Sequence, residues 1–65
     1  MALVRVTGIG GESFVINTDQ VLWMVEHVSG QEREVAVQFN GELRIRVQGS
    51  ISALLKAFDQ ARNGS

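Results

Sequence analysis

Apolar and polar residues alternate on both sides of Asn40-Gly41. A period of two is typical of strands that bury one face, and Asn-Gly between two such segments predicts a β-hairpin. A two-residue loop would place Val37 opposite Arg44, and would mix core and solvent residues on each face. We therefore predict a three-residue loop over residues 39–41, with Gly41 in the left-handed position of a β-bulge.

This loop sets the register of the predicted hairpin. The opposite pairs are then Val37 with Leu43, Val35 with Ile45, and Glu34 with Arg46. One face of the hairpin is apolar and is extended by Val47, whereas the other face carries mostly charges. A cross-strand ion pair is expected on the charged face.

The same alternation predicts two earlier strands, and a segment that is apolar on both faces predicts a third. The three earlier strands cover residues 4–7, Ser13–Asn17 and 21–28, and the first strand of the hairpin covers residues 33–38. We interpret the glycine-rich segment 8–11 as a hairpin turn and not as a phosphate-binding loop. The reason is that no Lys-Ser or Lys-Thr follows it, and that it leads into a strand and not into a helix. Residues 29–32 form the next predicted turn.

A helix is predicted after the fifth strand. Ser50 is a good N-cap for a helix that begins at Ile51 and stops at Asn63-Gly64. The spacing i, i+3, i+4, i+7 gives the helix one apolar stripe, which consists of Ile51, Leu54, Leu55 and Phe58. We expect this stripe to pack on the apolar face of the hairpin. Leu55→Ala is then expected to lower the free energy of unfolding by about 2–5 kcal/mol.

The element order is therefore β-β-β-β-β-α, and the predicted fold is α+β. We expect a small, twisted, five-stranded antiparallel sheet with one C-terminal helix packed on it. The chain has 65 residues and no cysteine, so it forms one domain, residues 1–65, without disulfides. Because so small a core is marginal on its own, we also expect a homo-oligomer.

Catalytic chemistry is not visible in this sequence. His27 is the only histidine, and the chain has neither cysteine nor tyrosine to act beside it. We predict that the protein is not an enzyme and that it has no metal or cofactor site. The net charge of −1 provides no global attraction to nucleic acids or anionic lipids. No apolar run approaches 18 residues, which predicts a cytoplasmic protein without membrane insertion.

The third strand is apolar on both faces, although one helix can cover only one face of a sheet. Val21, Trp23 and Val25 are predicted to share one face, and they are the candidate partner interface. Tryptophan often carries much of the binding energy of interfaces. The alternative is a sheet that curls strongly enough to bury both faces, as in a small barrel.

A second candidate surface is basic. Arg44 and Arg46 alternate along the fifth strand and are the candidate nucleic-acid contacts. The simpler interpretation is a solvated face, on which Glu34 and Glu42 form ion pairs with them. No aromatic residue is expected between these arginines, so the sequence predicts no base-stacking platform.

Two segments resemble a known family. Residues 11–19, Gly-Glu-Ser-Phe-Val-Ile-Asn-Thr-Asp, and the apolar residues 21–26 that follow are similar to a segment of the small flagellar protein family FlbD, also called SwrD. Residues 35–47 resemble the family's second signature, which is a strand, an Asn-Gly turn and a strand of alternating apolar and basic residues. Ser50 matches the serine that opens the terminal helix. The chain departs from the family at residues 29–32, where a Thr-Pro-Asp type of turn is usual, and at Trp23, where a polar residue is frequent.

The resemblance implies a cytoplasmic, non-enzymatic accessory of flagellar assembly or motor function. We therefore predict a non-catalytic protein-interaction or regulatory module, acting in motility and associating with itself. The alternative is a small RNA-binding regulator that uses the arginines. A weaker resemblance to the bacterial carbon-storage regulators, which share a Gly-Glu-Ser-like turn, five short strands and a C-terminal helix, implies that activity.

Overall fold

In a computed structural model, which describes residues 2–63, five strands precede one α-helix. The strands are β1 (Leu3–Thr7), β2 (Ser13–Asn17), β3 (Val21–Ser29), β4 (Glu32–Phe39) and β5 (Arg44–Gln48), and the helix α1 spans Ile51–Asn63. A single 3-10 turn, Thr18–Gln20, joins β2 to β3. The predicted element order is therefore confirmed. The predicted helix stop at Asn63-Gly64 lies partly outside the described residues.

The strands form two antiparallel sheets, so the prediction of one five-stranded sheet was wrong. β1 pairs with β2, whereas the second sheet has the order β3-β4-β5. The sheets meet where Gly8 forms a bridge with Val47 and where the Ile9 amide donates to the Arg46 carbonyl at 3.3 Å. The chain turns back at this point, since the Gly8 amide donates to the Glu12 carbonyl at 2.7 Å. β1 therefore ends at the point where it reaches β5. The chain forms one isolated bridge there, and β1 and β5 do not pair along their lengths.

Both sheets and the helix share one hydrophobic core. The two-stranded sheet contributes Val4, Val6 and Ile16, the three-stranded sheet contributes Val35, Val37, Phe39 and Val47, and the helix contributes Leu54 and Phe58. Three valines at the centre of the three-stranded sheet are fully buried, namely Val35, Val37 and Val47. The core therefore lies between one side of this sheet, the smaller sheet and α1.

The β4–β5 hairpin has the predicted faces but not the predicted register. The observed pairs include Val37 with Ile45 and Val35 with Val47. The Phe39 amide donates to the Leu43 carbonyl at 2.9 Å, which places the loop at residues 40–42. Gly41 has a φ of +80°, the left-handed conformation that was predicted for it. Leu43 flanks the loop and is 61% exposed, so its predicted place in the core was wrong.

The helix docks on three of the four residues of the predicted stripe, since Ile51 also packs against the core. Leu54 and Phe58 are buried as expected, but Leu55 is 49% exposed, and its predicted core position was wrong. Ala57 and Ala61 pack against the core instead. Their short side chains allow the helix to lie close to the sheets, and this rotation turns Leu55 to the solvent.

Two side chains hold the start of α1. Ser50 is the predicted N-cap, and its Oγ accepts a hydrogen bond from the Ala53 amide at 3.2 Å. Glu26 of β3 also contributes, because its Oε1 accepts from the Ile51 amide at 2.8 Å. The second oxygen of Glu26 lies 3.9 Å from Arg33 Nη1. A carboxylate at this end of a helix is favoured by the helix dipole.

Candidate interaction face

The three-stranded sheet has one side that faces away from the core. We call it the outer face, and define it by three rows of neighbouring residues. The rows are Trp23, Gln38 and Arg44; Val25, Ala36 and Arg46; and His27, Glu34 and Gln48. Trp23 is 45% exposed and Val25 is 38% exposed. The sheet therefore does not curl into a barrel that buries both of its faces.

Val21 does not belong to the outer face, although it was predicted beside Trp23 and Val25. β3 carries a β-bulge between Val21 and Trp23. Val21 lies opposite Phe39 and packs against the core, whereas Trp23 lies opposite Gln38. A bulge adds one residue to a strand and reverses the side on which the following residues lie. The predicted grouping of these three residues on one face was therefore wrong.

Trp23 and Arg44 were predicted on two separate surfaces, but both lie in the first row of the outer face. The guanidinium carbon of Arg44 lies 5.4 Å from the centroid of the Trp23 ring, which is a cation–π distance. Arg44 Nε also donates to Gln38 Oε1 at 3.4 Å. The prediction that no aromatic residue accompanies the arginines was wrong, because β3 and β5 flank the same central strand.

Gln38 also belongs to this site, although it was not predicted. Its Nε2 donates to the carbonyl oxygens of Phe39 at 3.3 Å and Gly41 at 3.4 Å. These bonds orient its amide oxygen towards Arg44. The alternation of β4 places Gln38 on the polar side of the strand, so this signal was present in the sequence.

The second arginine has a different environment. Arg46 Nε lies 3.6 Å from Glu34 Oε2, and this is the ion pair that the sequence predicted. Because of the shifted register the two residues are diagonal neighbours. Ala36, which is 3% exposed, lies between the larger side chains of Val25 and Arg46. Within the part of the chain that the structure describes, Arg44 has no carboxylate partner, so it is the cation of this face that is open to a ligand.

Two further candidate sites are the glycine-rich turn and His27. The Gly10 amide in the glycine-rich turn donates to Glu12 Oε1 at 2.9 Å, so a carboxylate of the chain itself occupies this position. His27 lies opposite Glu34 on the outer face. Among residues 2–63, no group of three or more potential metal ligands is found. No helix within this range is both long and apolar enough to span a membrane.

Comparisons with protein-family models, curated proteins and solved structures give no match to this chain.

Proposed function

We propose that the protein is a non-catalytic interaction module, which binds a protein partner through the outer face and associates with itself. The observation that carries this proposal is the exposed Trp23 ring with the Arg44 guanidinium over it. Tryptophan and arginine are, with tyrosine, the residues enriched among those that dominate binding energies. Here they lie together on a regular sheet, where the pairing with β4 holds both backbones in place.

The chemistry of the face indicates the kind of partner. Trp23 and Val25 offer an apolar surface, and Arg44 offers a guanidinium that is held by Gln38. A protein surface with an apolar side chain beside a carboxylate complements this arrangement. Because Arg44 is already oriented, little side-chain entropy is lost when it meets such a carboxylate.

A comparison of variants tests this proposal. Trp23→Ala and Leu55→Ala each remove a half-exposed large side chain, one from the outer face and one from the helix. Each purified variant is used as bait in a nuclease-treated lysate of the source cells, after circular dichroism has shown that it is folded. We expect Leu55→Ala to capture the same proteins as the unaltered chain, and Trp23→Ala to lose them. Equal capture by both variants would contradict the proposal.

A small RNA-binding regulator is the second candidate function, and the Arg44–Trp23 pair is the observation that favours it. An aromatic ring beside an arginine is the combination on which single-stranded bases stack. This alternative predicts binding of single-stranded RNA that weakens steeply with salt and with Arg44→Ala. Our first proposal predicts no such complex. A fluorescently labelled oligonucleotide, titrated at two salt concentrations, separates the two.

The setting of the module is proposed from the resemblance to the FlbD family. We propose that it acts in the cytoplasm as an accessory of flagellar assembly or motor function. The support is the pair of sequence segments 11–26 and 35–47, which resemble that family. Deletion of the gene is expected to reduce spreading in soft agar, and the intact gene should restore it. Normal spreading of the deletion strain would remove motility from the proposal while leaving the interaction face untouched.

A further inference from the structure

The strand β3 is an edge of the three-stranded sheet. It spans nine residues and, within residues 2–63, pairs with β4 alone. Apart from the Val21 amide, which donates to the Thr18 carbonyl, no backbone hydrogen bond outside the strand ladders involves β3 among the described residues. The edge that faces away from β4 is therefore a row of backbone groups that can pair with a further strand.

The hydrogen bonds of β4 show which residues of β3 point to that edge. Successive residues of an antiparallel strand bond alternately to the strands on either side. The Phe39 amide donates to Leu43, and the Gly49 amide donates to Arg33, so the odd-numbered residues of β4 bond towards β5. The even-numbered residues of β4 therefore bond towards β3, where their partners are Trp23, Val25, His27 and Ser29. The remaining residues of the regular strand direct their backbone groups to the free edge, and they are Met24, Glu26 and Val28.

This edge has few of the devices that usually prevent pairing. Natural edge strands carry lysine, proline or an inward-pointing charge, or are kept short. β3 is nine residues long and contains neither lysine nor proline. Its one carboxylate, Glu26, is bound to the start of α1 and to Arg33. Its bulge lies at one end, beside Val21, and leaves residues 23–29 regular. Four of its apolar side chains are exposed, namely Leu22, Trp23, Val25 and Val28.

We propose that two copies of the chain pair their β3 strands antiparallel about a two-fold axis at Val25, which joins their sheets into one of six strands. This inference rests on the self-association that we propose as part of the function. It names the partner of the edge as a second copy of the same chain. The two outer faces then form one continuous surface.

The register follows from the direction of the free backbone groups and from the charges. Free-edge residues must face free-edge residues, so the axis can pass through any residue from 24 to 28. An axis at His27 or Val28 would pair at most five residues of β3, which leaves Met24, Val25 and Glu26. Centring on Glu26 would place two carboxylates opposite each other, which is unfavourable. Centring on Met24 would place Val28 opposite the 3-10 turn of the second copy. Centring on Val25 gives all nine residues of β3 a partner in β3 of the second copy, and residues 23–27 pair within the regular part of both strands.

The Val25 register also matches the side chains. Trp23 lies opposite His27 of the partner subunit, and Glu26 lies opposite Met24 of the partner subunit, so no like charges face each other. The exposed Leu22 is brought towards Val28 of the partner subunit. A contact of one strand is narrower than a standard protein interface, and we therefore expect a dimer that dissociates on dilution.

Cysteine cross-linking tests both the contact and its register, because the natural chain contains no cysteine. The two Val25 residues form a non-hydrogen-bonded pair, in which the Cα atoms are about 4.5 Å apart, within disulfide range. Under mild oxidation we expect Val25→Cys to form a covalent dimer at least tenfold faster than Ser29→Cys or Leu55→Cys. Ser29 lies at the end of the same strand, opposite Val21 of the partner subunit, and Leu55 is an exposed residue of the helix. An equal rate for all three, or a faster rate for Ser29→Cys, would overturn the proposal.

Sedimentation of the cysteine-free protein over a range of concentrations distinguishes the failure of this inference from that of the proposed function. We expect a reversible dimer that becomes a monomer with Val25→Lys, because two lysines would then face each other at the axis. Val15→Lys, on an exposed residue of β2, should leave the dimer intact. A dimer that persists in Val25→Lys would overturn the edge contact and leave self-association standing. A monomer at every concentration would overturn both, whereas the capture experiment with Trp23→Ala would still test partner binding.

Discussion

At the scale of single residues, the tightest constraint lies where β1 turns back beside β5. A Cβ atom on Gly8 would lie 2.7 Å from Phe14 Cε2 and 2.6 Å from Glu12 Oε1. Phe14 itself packs against the core, so its ring has little freedom to move. The glycine-rich turn is thus explained by the close approach of a ring and a carboxylate, with no need for a bound anion.

Gly8→Ala is expected to lower the free energy of unfolding by about 1–3 kcal/mol, the usual cost of overpacking. Gly10→Ala is the matched control, because a Cβ there would approach only the flexible carboxylate of Glu12, with 2.9 Å to its Oε1. We expect a smaller loss for this variant. Urea titrations followed by circular dichroism measure both. If the two variants had the same midpoint, the contact with Phe14 would not be the constraint.

At the scale of the elements, the docking of α1 depends on which side of the helix is small enough to approach the sheets. Leu54 is 6% exposed and Leu55 is 49% exposed, although they are neighbours of the same type. Leu54→Ala is expected to lower the free energy of unfolding by about 2–5 kcal/mol, because it leaves a cavity in the core. Leu55→Ala should change it by about 0.5 kcal/mol or less, as is usual for surface positions. Urea midpoints in the reverse order would mean that the helix is rotated.

The elements could be predicted from the sequence more completely than their pairing. Alternation predicts the exact bounds of Ser13–Asn17, and the N-cap Ser50 predicts the start of the helix at Ile51. A shift of two residues leaves alternation unchanged, and the hairpin register was missed for this reason. The bulge beside Val21 has no glycine or other signal in the sequence. For the same reasons Trp23, Arg44 and Arg46 were each identified, but their placement on one face was not.

At the scale of the whole molecule, two sheets joined by little backbone pairing nevertheless share one core. Ile16 of the two-stranded sheet is 6% exposed and belongs to the same cluster as Val37 of the three-stranded sheet. Because this cluster can only be buried when both sheets and the helix are in place, we expect the molecule to unfold as one unit.

A substitution in one sheet, monitored by a probe in the other, tests this cooperativity. Trp23 is the only tryptophan, and it lies in the three-stranded sheet. Ile16→Val removes one methylene group from the two-stranded sheet and is expected to cost about 0.5–1.5 kcal/mol. We expect the urea midpoint of tryptophan fluorescence to fall by the same amount as that of far-ultraviolet circular dichroism. Val15→Ala, an exposed neighbour in β2, is the control and should leave both midpoints nearly unchanged. If Ile16→Val shifted the dichroism midpoint but not the fluorescence midpoint, the two sheets would unfold separately, and the outer face would remain intact without the smaller sheet.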